Sequence, residues 1–192
     1  MTELFTDQDM ATCLRGCRSY EQYLSMKDDF ATGCTFCNFD EERNTIFWQD
    51  KNVRVWDTPD EFKRDYLEHQ FIIAPKEHLR FPWDMSPAKN DSLLKAQQKL
   101  QRKHNFLGGM LFVRFGAMHL NSGTVPHIHW NLWVPKGTQS VRIPLFKDPE
   151  LTAKNEERLK RFEFLAQQII SVEKFNRLVS KGIFDTDGNI LG

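Results

Sequence analysis

Residues 125–135 read VPHIHWNLWVP, and the turn-taking of polar and apolar side chains here limits the fold more than any other feature of the chain. Apolar Ile128, Trp130, Leu132 and Val134 alternate with His127, His129 and Asn131. A period of two belongs to a β-strand, whose successive side chains point to opposite faces of a sheet. One face of this strand enters a core, and the other presents two histidines and an asparagine together.

A sheet needs partner strands, and the sequence offers several. Residues 44–49 and 53–57 are aromatic and β-branched, 71–74 form a short apolar strand ending at Pro75, and 110–115 alternate again. Ser86 followed by Pro87 predicts a helix start, with a side-chain cap and a proline at the first position. The spacing of Leu93, Leu94, Ala96 and Leu100 carries that helix for about five turns, with Gly108 and Gly109 as its stop. A second helix is expected to open at Asp148 and Pro149, with Leu159, Phe162, Leu165, Ile169 and Val172 as one apolar stripe. Residues 1–30 are polar and mixed, and read as a helix with irregular flanks. Strands, helix, strands, helix in this order predict an α+β fold, a mostly antiparallel sheet with helices packed against it.

With 192 residues, 40% of them hydrophobic, the chain is expected to form a single domain over 1–192. Its core is placed at about 34–135, with an N-terminal extension 1–33 and a helical C-terminal extension 148–192. A chain of this size buries roughly 70% of its unfolded surface. The 26 basic and 26 acidic residues balance, which removes the overall field that draws proteins to nucleic acid or anionic membranes. The longest apolar run, 106–113, is broken by two glycines and falls far short of a bilayer span. Glu3, Asp7 and Asp9 stand where a secretory leader would carry positive charge, so the expected location is cytoplasmic.

Cys34 and Cys37 form a C-x-x-C pair. In a reducing compartment this spacing suits a metal site, a redox pair, or two unremarkable thiols. A redox pair would sit between a strand and a helix, whereas here a polar stretch leads into strand-like sequence. A structural zinc needs four ligands, and His78 in the segment PKEH and His127 are candidate donors for the other two. Cys13 and Cys17 read as ordinary thiols, and Trp130 and Trp133 as packing residues. Lys76 and Arg80, near the end of the third strand, and Arg142 and Lys147, beyond the motif strand, are candidate phosphate contacts.

The order CTFC, a hydrophobic strand ending in PKEH, then PHIHWN resembles the histidine-triad superfamily of nucleotide hydrolases and transferases, and in particular its zinc-containing members. The resemblance covers 34–135, about half of the chain. The family motif is His-x-His-x-His, and the branch with galactose-1-phosphate uridylyltransferase and diadenosine tetraphosphate phosphorylase has glutamine at the third position. Asn131 departs from both patterns. The resemblance implies a structural zinc held by Cys34, Cys37, His78 and His127, and His129 as the nucleophile. It also implies Asp57 at the ribose, and Thr124 and Asn121 near the phosphates. A nucleotide or dinucleotide substrate and a homodimer follow from the same likeness. The chemistry agrees: a neutral imidazole can attack a phosphorus and split one hard displacement into two easier ones. Asn131, about 6.8 Å further along the strand, can donate to an oxygen of the bound phosphate.

Three functions are therefore expected in order. The first is a nucleotide hydrolase or nucleotidyltransferase working through a nucleotidyl-histidine at His129 on a phosphoanhydride, phosphoramidate or sugar-nucleotide bond. The second is a nucleotide-binding protein with weak turnover, and the third a zinc-stabilised interaction domain.

Overall fold

The computed structural model describes residues 7–31, 33–116, 118, 125–137 and 149–191. Among them run helices α1 (Asp7–Leu14), α2 (Tyr20–Ala31), α3 (Pro87–His104), α4 (Pro149–Gln167) and α5 (Val172–Ser180). The strands are β1 (Ile46–Gln49), β2 (Val53–Asp57), β3 (Leu67–Pro75), β4 (Met110–Arg114) and β5 (His129–Pro135). The chain groups into two compact units, Cys34–Leu145 and, taken together, Met1–Gly33 with Phe146–Gly192.

The unit Cys34–Leu145 is built on a five-stranded sheet in the order β1-β2-β3-β5-β4, each pairing antiparallel. With α3 laid on it this is the α+β arrangement expected. Val53, Val55, Phe71, Ile73 and Leu132 close one sheet face against Met85, Leu93, Ala96 and Leu100. The helix start is the one read from the sequence: the Ser86 hydroxyl accepts a hydrogen bond from the Lys89 N–H, and Pro87 follows at the first position. Its end is different. The helix stops at Asn105, which takes the left-handed conformation (φ 48°) and donates its N–H to Gln101 O at 2.7 Å, three residues ahead of the glycines. After glycine, asparagine is the residue that most readily takes this cap position.

Two strands differ in extent from the sequence reading. β3 runs from Leu67, not from Phe71, because β5 pairs along its whole length, from Leu67↔Pro135 to Ile73↔Trp130. Glu68, His69 and Gln70 hide that extension from a search for apolar runs. β5 begins at His129, and His127 lies in the bend before it. That bend is anchored by the Ile128 N–H donating to Leu79 O at 2.7 Å.

In the other unit, the stretch 1–30 divides into α1 and α2. Tyr20 and Tyr23 of α2 pack tilted rings against Phe162 of α4, and Tyr20 also meets Phe175 of α5 with centroids 5.0 Å apart. The Tyr20 hydroxyl donates to Ile170 O at 2.7 Å. Helix α4 is described from Pro149, and Asp148 lies outside the described residues. The expected stripe is interrupted: Leu159, Phe162 and Leu165 are buried, but α4 ends at Gln167, Ile169 is 89% exposed at φ 55°, and Val172 opens α5. The interruption has a local cause. Ile169 turns left-handed, and the next N–H, that of Ile170, bonds back to Leu165 O at 3.2 Å, closing the helix in a Schellman-type cap. Cys13 and Cys17 are buried here, and the Cys17 thiol, pushed up to about 12 by burial, is the inert thiol expected.

Candidate active site and metal centre

The CTFC segment folds into a tight turn, with the N–H groups of Cys37 and Asn38 both donating to Cys34 O at 3.0 and 2.9 Å. This turn carries the two sulfurs to the end of β3. The loop after Pro75 brings His78 to the same place, and the bend before β5 brings His127. The Cys34, Cys37, His78 and His127 donor atoms all lie within 4.8 Å of one another. Cys37 Sγ is 3.2 Å from His78 Nδ1 and 3.6 Å from His127 Nδ1, and Cys34 Sγ is 3.5 Å from His127 Nδ1.

A tetrahedron built from ordinary zinc–sulfur and zinc–nitrogen bonds has S···N edges of about 3.5 Å. The donor set therefore fits one zinc ion. His127 is prepared for the task by its tautomer. Its Nε2–H donates to Pro75 O at 2.9 Å, which leaves the Nδ1 lone pair facing the sulfurs. Burial, with the neighbouring His78, pushes its pKa down to about 3, so the ring is neutral and free to ligate. As a thiol, Cys37 is pushed up to about 12 by burial and by Cys34, so an ion binding here would have to displace protons.

His129 is arranged by the same logic and for a different end. Its Nδ1–H donates to the carbonyl oxygen of His127 at 2.8 Å, leaving Nε2 as the bare lone pair. Burial drives its pKa down to about 4, the Arg114 charge adding to the effect, so the imidazole is neutral at physiological pH. Phe36, between the two cysteines, sets its ring edge-on against His129 at 5.1 Å and against Trp56 at 4.9 Å, and also touches the His127 ring at 5.6 Å. The metal turn and the nucleophile candidate are thus packed through one aromatic side chain.

Alternation along β5 places Asn131 and Trp133 on the face of His129. Register across the sheet adds Arg114 and Phe112 from β4, Ile72 and Gln70 from β3, and Trp56 from β2. Thr58, just past β2 and bonded through its N–H to Gln70 O, continues the row. Three buried polar atoms on this face, Thr58 Oγ1, Asn131 Nδ2 and Trp133 Nε1, find no hydrogen-bond partner among the described residues. Buried polar groups are nearly always satisfied, so three orphans on one face mark a surface suited to a polar ligand.

The remaining expected residues are dispersed. Asp57 pairs in register with Phe71, on the α3 side of the sheet, and its carboxylate holds the Lys63 ammonium at 2.8 Å. There it lines a cavity of about 310 Å³ with Phe47, Phe71, His69 and His104. The structure does not bring it to the His129 face. Lys76 stands at the end of β3, where its charge acts on Asp50. The cation that acts on His129 is Arg114. Asn121, Thr124, Arg142 and Lys147 lie outside the described residues. Arg114, Phe36 and the indole N–H of Trp133 were not anticipated. Only the alternation of Met110, Phe112 and Arg114 in β4 hinted at the arginine, and alternation gives a face without giving a neighbour.

The sequence matches no family model and no curated protein. Comparison with solved structures does return likenesses. The chain is similar to histidine-triad proteins. One is a histidine-triad family hydrolase from Clostridium thermocellum, at 20% identity and TM-score 0.45, covering 58% of this chain and 97% of that one. Another is a zinc-bound histidine-triad family protein from Mycobacterium smegmatis, at 18% identity and TM-score 0.45, covering 69% and 97%. A third is a histidine-triad nucleotide-binding protein from Candida albicans, at 18% identity and TM-score 0.46, covering 70% and 99%. Nothing about the chemistry of this chain follows from likenesses at that level. Its own residues have to carry it.

Proposed function

We propose that the protein is a nucleotide hydrolase or nucleotidyltransferase that works through a covalent nucleotidyl-histidine at His129. The observation that carries the reading is the hydrogen bond from His129 Nδ1–H to His127 O at 2.8 Å, which holds Nε2 deprotonated on a face where three buried polar atoms have no partner among the described residues. The Nε2 lone pair attacks the substrate phosphorus, a P–N bond forms, and the bond to the leaving group breaks with its electron pair. The Nδ1–H bond to the carbonyl then stabilises the positive charge on the substituted ring. Water or another acceptor attacks the same phosphorus in the second step, and the P–N electrons return to Nε2. Asn131 supplies a neutral amide to the phosphate oxygens, a donor that does not titrate.

A zinc at Cys34, Cys37, His78 and His127 would have four protein ligands and no open position. It would tie the CTFC turn to the sheet and take no part in activating water. Of the four, only His127 also touches the proposed nucleophile, through its backbone carbonyl on His129 Nδ1.

Trapping tests the proposal. The protein is mixed with labelled nucleoside polyphosphate, dinucleoside polyphosphate or sugar nucleotide, quenched in base, and examined by mass spectrometry for an acid-labile nucleotidyl adduct. An adduct on the peptide that holds His129, absent from His129→Ala, is the expected result. Turnover with no adduct, or an adduct that survives His129→Ala, overturns the covalent mechanism. Nucleotide binding by calorimetry without turnover would leave the weaker reading, a nucleotide-binding protein.

A further inference from the structure

Arg114 is the cross-strand partner of His129 in the β4–β5 pairing. It is half-buried, and no ion pair engages it among the described residues. Its guanidinium carbon stands over the ring of Phe112, 5.4 Å from the centroid. Phe112 is the cross-strand neighbour of Asn131 and meets Trp133 edge-on at 4.9 Å. The arginine thus stands beside the Phe112 ring, which in turn reaches Trp133, while its charge also acts on His129. Two buried N–H donors on the same sheet face, Asn131 Nδ2 and Trp133 Nε1, have no partner among the described residues.

This cluster is lopsided. An arginine offers donors and no acceptor, and the indole likewise offers only a donor. Each unsatisfied buried donor costs about 1–3 kcal/mol, and a half-buried guanidinium without a carboxylate is a further penalty. Burial and the charge of Arg64 already hold Arg114 below the usual guanidinium value, so a second cation stands nearby to deepen the demand for negative charge. A ligand rich in oxygens and carrying charge relieves all of these at once. Bidentate binding of a phosphoryl group is what a guanidinium does best.

Placement decides which phosphoryl group this is. The reacting phosphorus must sit at His129 Nε2. The guanidinium stands 5.4 Å from the Phe112 ring centroid, and Phe112 pairs with Asn131, two positions along the β4–β5 ladder from the Arg114–His129 pair. A guanidinium that leans to that side of His129 is placed to meet a phosphate chain beyond its reacting group.

We infer that Arg114, with Trp133 Nε1 and the Asn131 amide, forms an anion subsite beside His129 that holds the second phosphoryl group of the substrate, on the leaving-group side. The inference rests on the nucleotidyl-histidine reading for its orientation, but the subsite itself is defined by donors that exist without turnover. It narrows the substrate class to phosphoanhydrides, in which the leaving group begins with a phosphate. Dinucleoside polyphosphates and nucleoside-diphosphate sugars belong to this class, and phosphoramidates, whose leaving group is an amine, do not.

The test uses the full chain and two probes, inorganic pyrophosphate and orthophosphate, titrated by calorimetry into wild type, Arg114→Gln and Trp133→Phe. Wild type is expected to bind pyrophosphate, and Arg114→Gln to weaken it by about 10- to 100-fold, the loss of a charge-assisted pair. Trp133→Phe, which keeps the ring and removes one donor, is expected to weaken it by roughly 3- to 10-fold and stands in should Arg114→Gln misfold. In parallel, kcat/KM is compared for a dinucleoside polyphosphate and a nucleoside phosphoramidate, and Arg114→Gln is expected to lower the first at least 10-fold more than the second. Equal pyrophosphate affinity in wild type and both variants overturns the subsite, as does an equal loss on both substrates. Failure to trap an adduct together with Arg114-dependent pyrophosphate binding would overturn the mechanism and leave the subsite standing, so the two claims fail separately.

Discussion

The two faces of the sheet in the unit Cys34–Leu145 are made from the same strands and obey opposite rules. On the α3 side, Val55, Ile73, Ala96 and Leu100 are buried against one another with no polar atom among their side chains. On the His129 side, burial is as deep, yet His129, Asn131, Trp133 and Thr58 bring ring nitrogens, an amide, an indole and a hydroxyl into it. The first face is what a sheet needs to fold. The second is less stable than an apolar surface of the same shape would be, because orphaned donors count against the folded state. A strand that accepts such a face has a use for it beyond stability.

Substitutions on the two faces should accordingly separate stability from chemistry. The largest effect is expected at His129→Ala, which should lower turnover by on the order of 1,000-fold or more while thermal unfolding stays within a few degrees of wild type. Steady-state assay beside calorimetric melting checks it, and more than a tenth of the activity surviving would break the contrast between the faces. Cys34→Ser is expected to abolish zinc binding and, since metal-site energy is folding energy, to lower the melting temperature by roughly 10 °C or more. Metal analysis and melting of the same preparation measure both. A metal-free protein that melts unchanged would remove the structural role.

On the α3 face, Leu100→Ala should cost about 2–5 kcal/mol in denaturant unfolding, the usual range for a buried leucine. KM should be unaltered in the protein that remains folded. Asn131→Ala should reverse that pattern. It is expected to lose about 100-fold in kcat, the loss of one oxyanion donor, with little change in stability, while Asn131→Gln keeps most of the rate.

The smallest expected effect lies where α3 is tied to the β1–β2 hairpin. Ser92 Oγ donates to Asp50 Oδ2 at 2.6 Å, and the N–H groups of Val53 and Asn52 donate to Asp50 Oδ1 at 2.9 and 2.8 Å. Burial works to raise the Asp50 carboxyl, but these hydrogen bonds outweigh it and hold its pKa below the usual carboxylate value. A folded pKa lower than the unfolded one gives stability that is full above the unfolded pKa and is lost as pH falls through the folded one. Ser92→Ala should therefore cost about 1 kcal/mol near neutral pH, and the difference from wild type should shrink below about pH 4. Urea titrations at pH 7 and pH 3 measure it, and a difference independent of pH would contradict the assignment.

Much of this contrast was legible in the sequence because it is local. The period of two in 125–135 announces one polar face, and Ser86-Pro87 announces the start of α3. C-x-x-C, PKEH and PHIH come close to naming the metal donors in order. What the sequence could not supply is register. Arg114 faces His129 because β4 and β5 pair with those two residues opposite each other, and no short-range pattern links positions 15 residues apart. The same holds for Asp57, the last residue of β2, which the resemblance put at a ribose beside the nucleophile and which alternation turns to the α3 side, where Lys63 takes it. Ends of elements were hidden for a different reason. Asn105 and Ile169 stop α3 and α4 by taking left-handed backbone, where the sequence pointed to Gly108 and Gly109 for the first and to an unbroken stripe for the second.

The position of Phe36 gives the metal turn a second meaning. Because Phe36 lies between Cys34 and Cys37 and its ring rests on His129, part of the cover over His129 belongs to the turn. The turn is held by two backbone hydrogen bonds converging on Cys34 O. For the nucleotidyl-histidine proposed above, how often bulk water would meet it depends in part on how often those two bonds open, a frequency that amide hydrogen exchange at Cys37 and Asn38 reads directly. Zinc bound by the four ligands would slow that opening, so the ion would act on the chemistry as a timer, setting how long an intermediate waits before solvent reaches it.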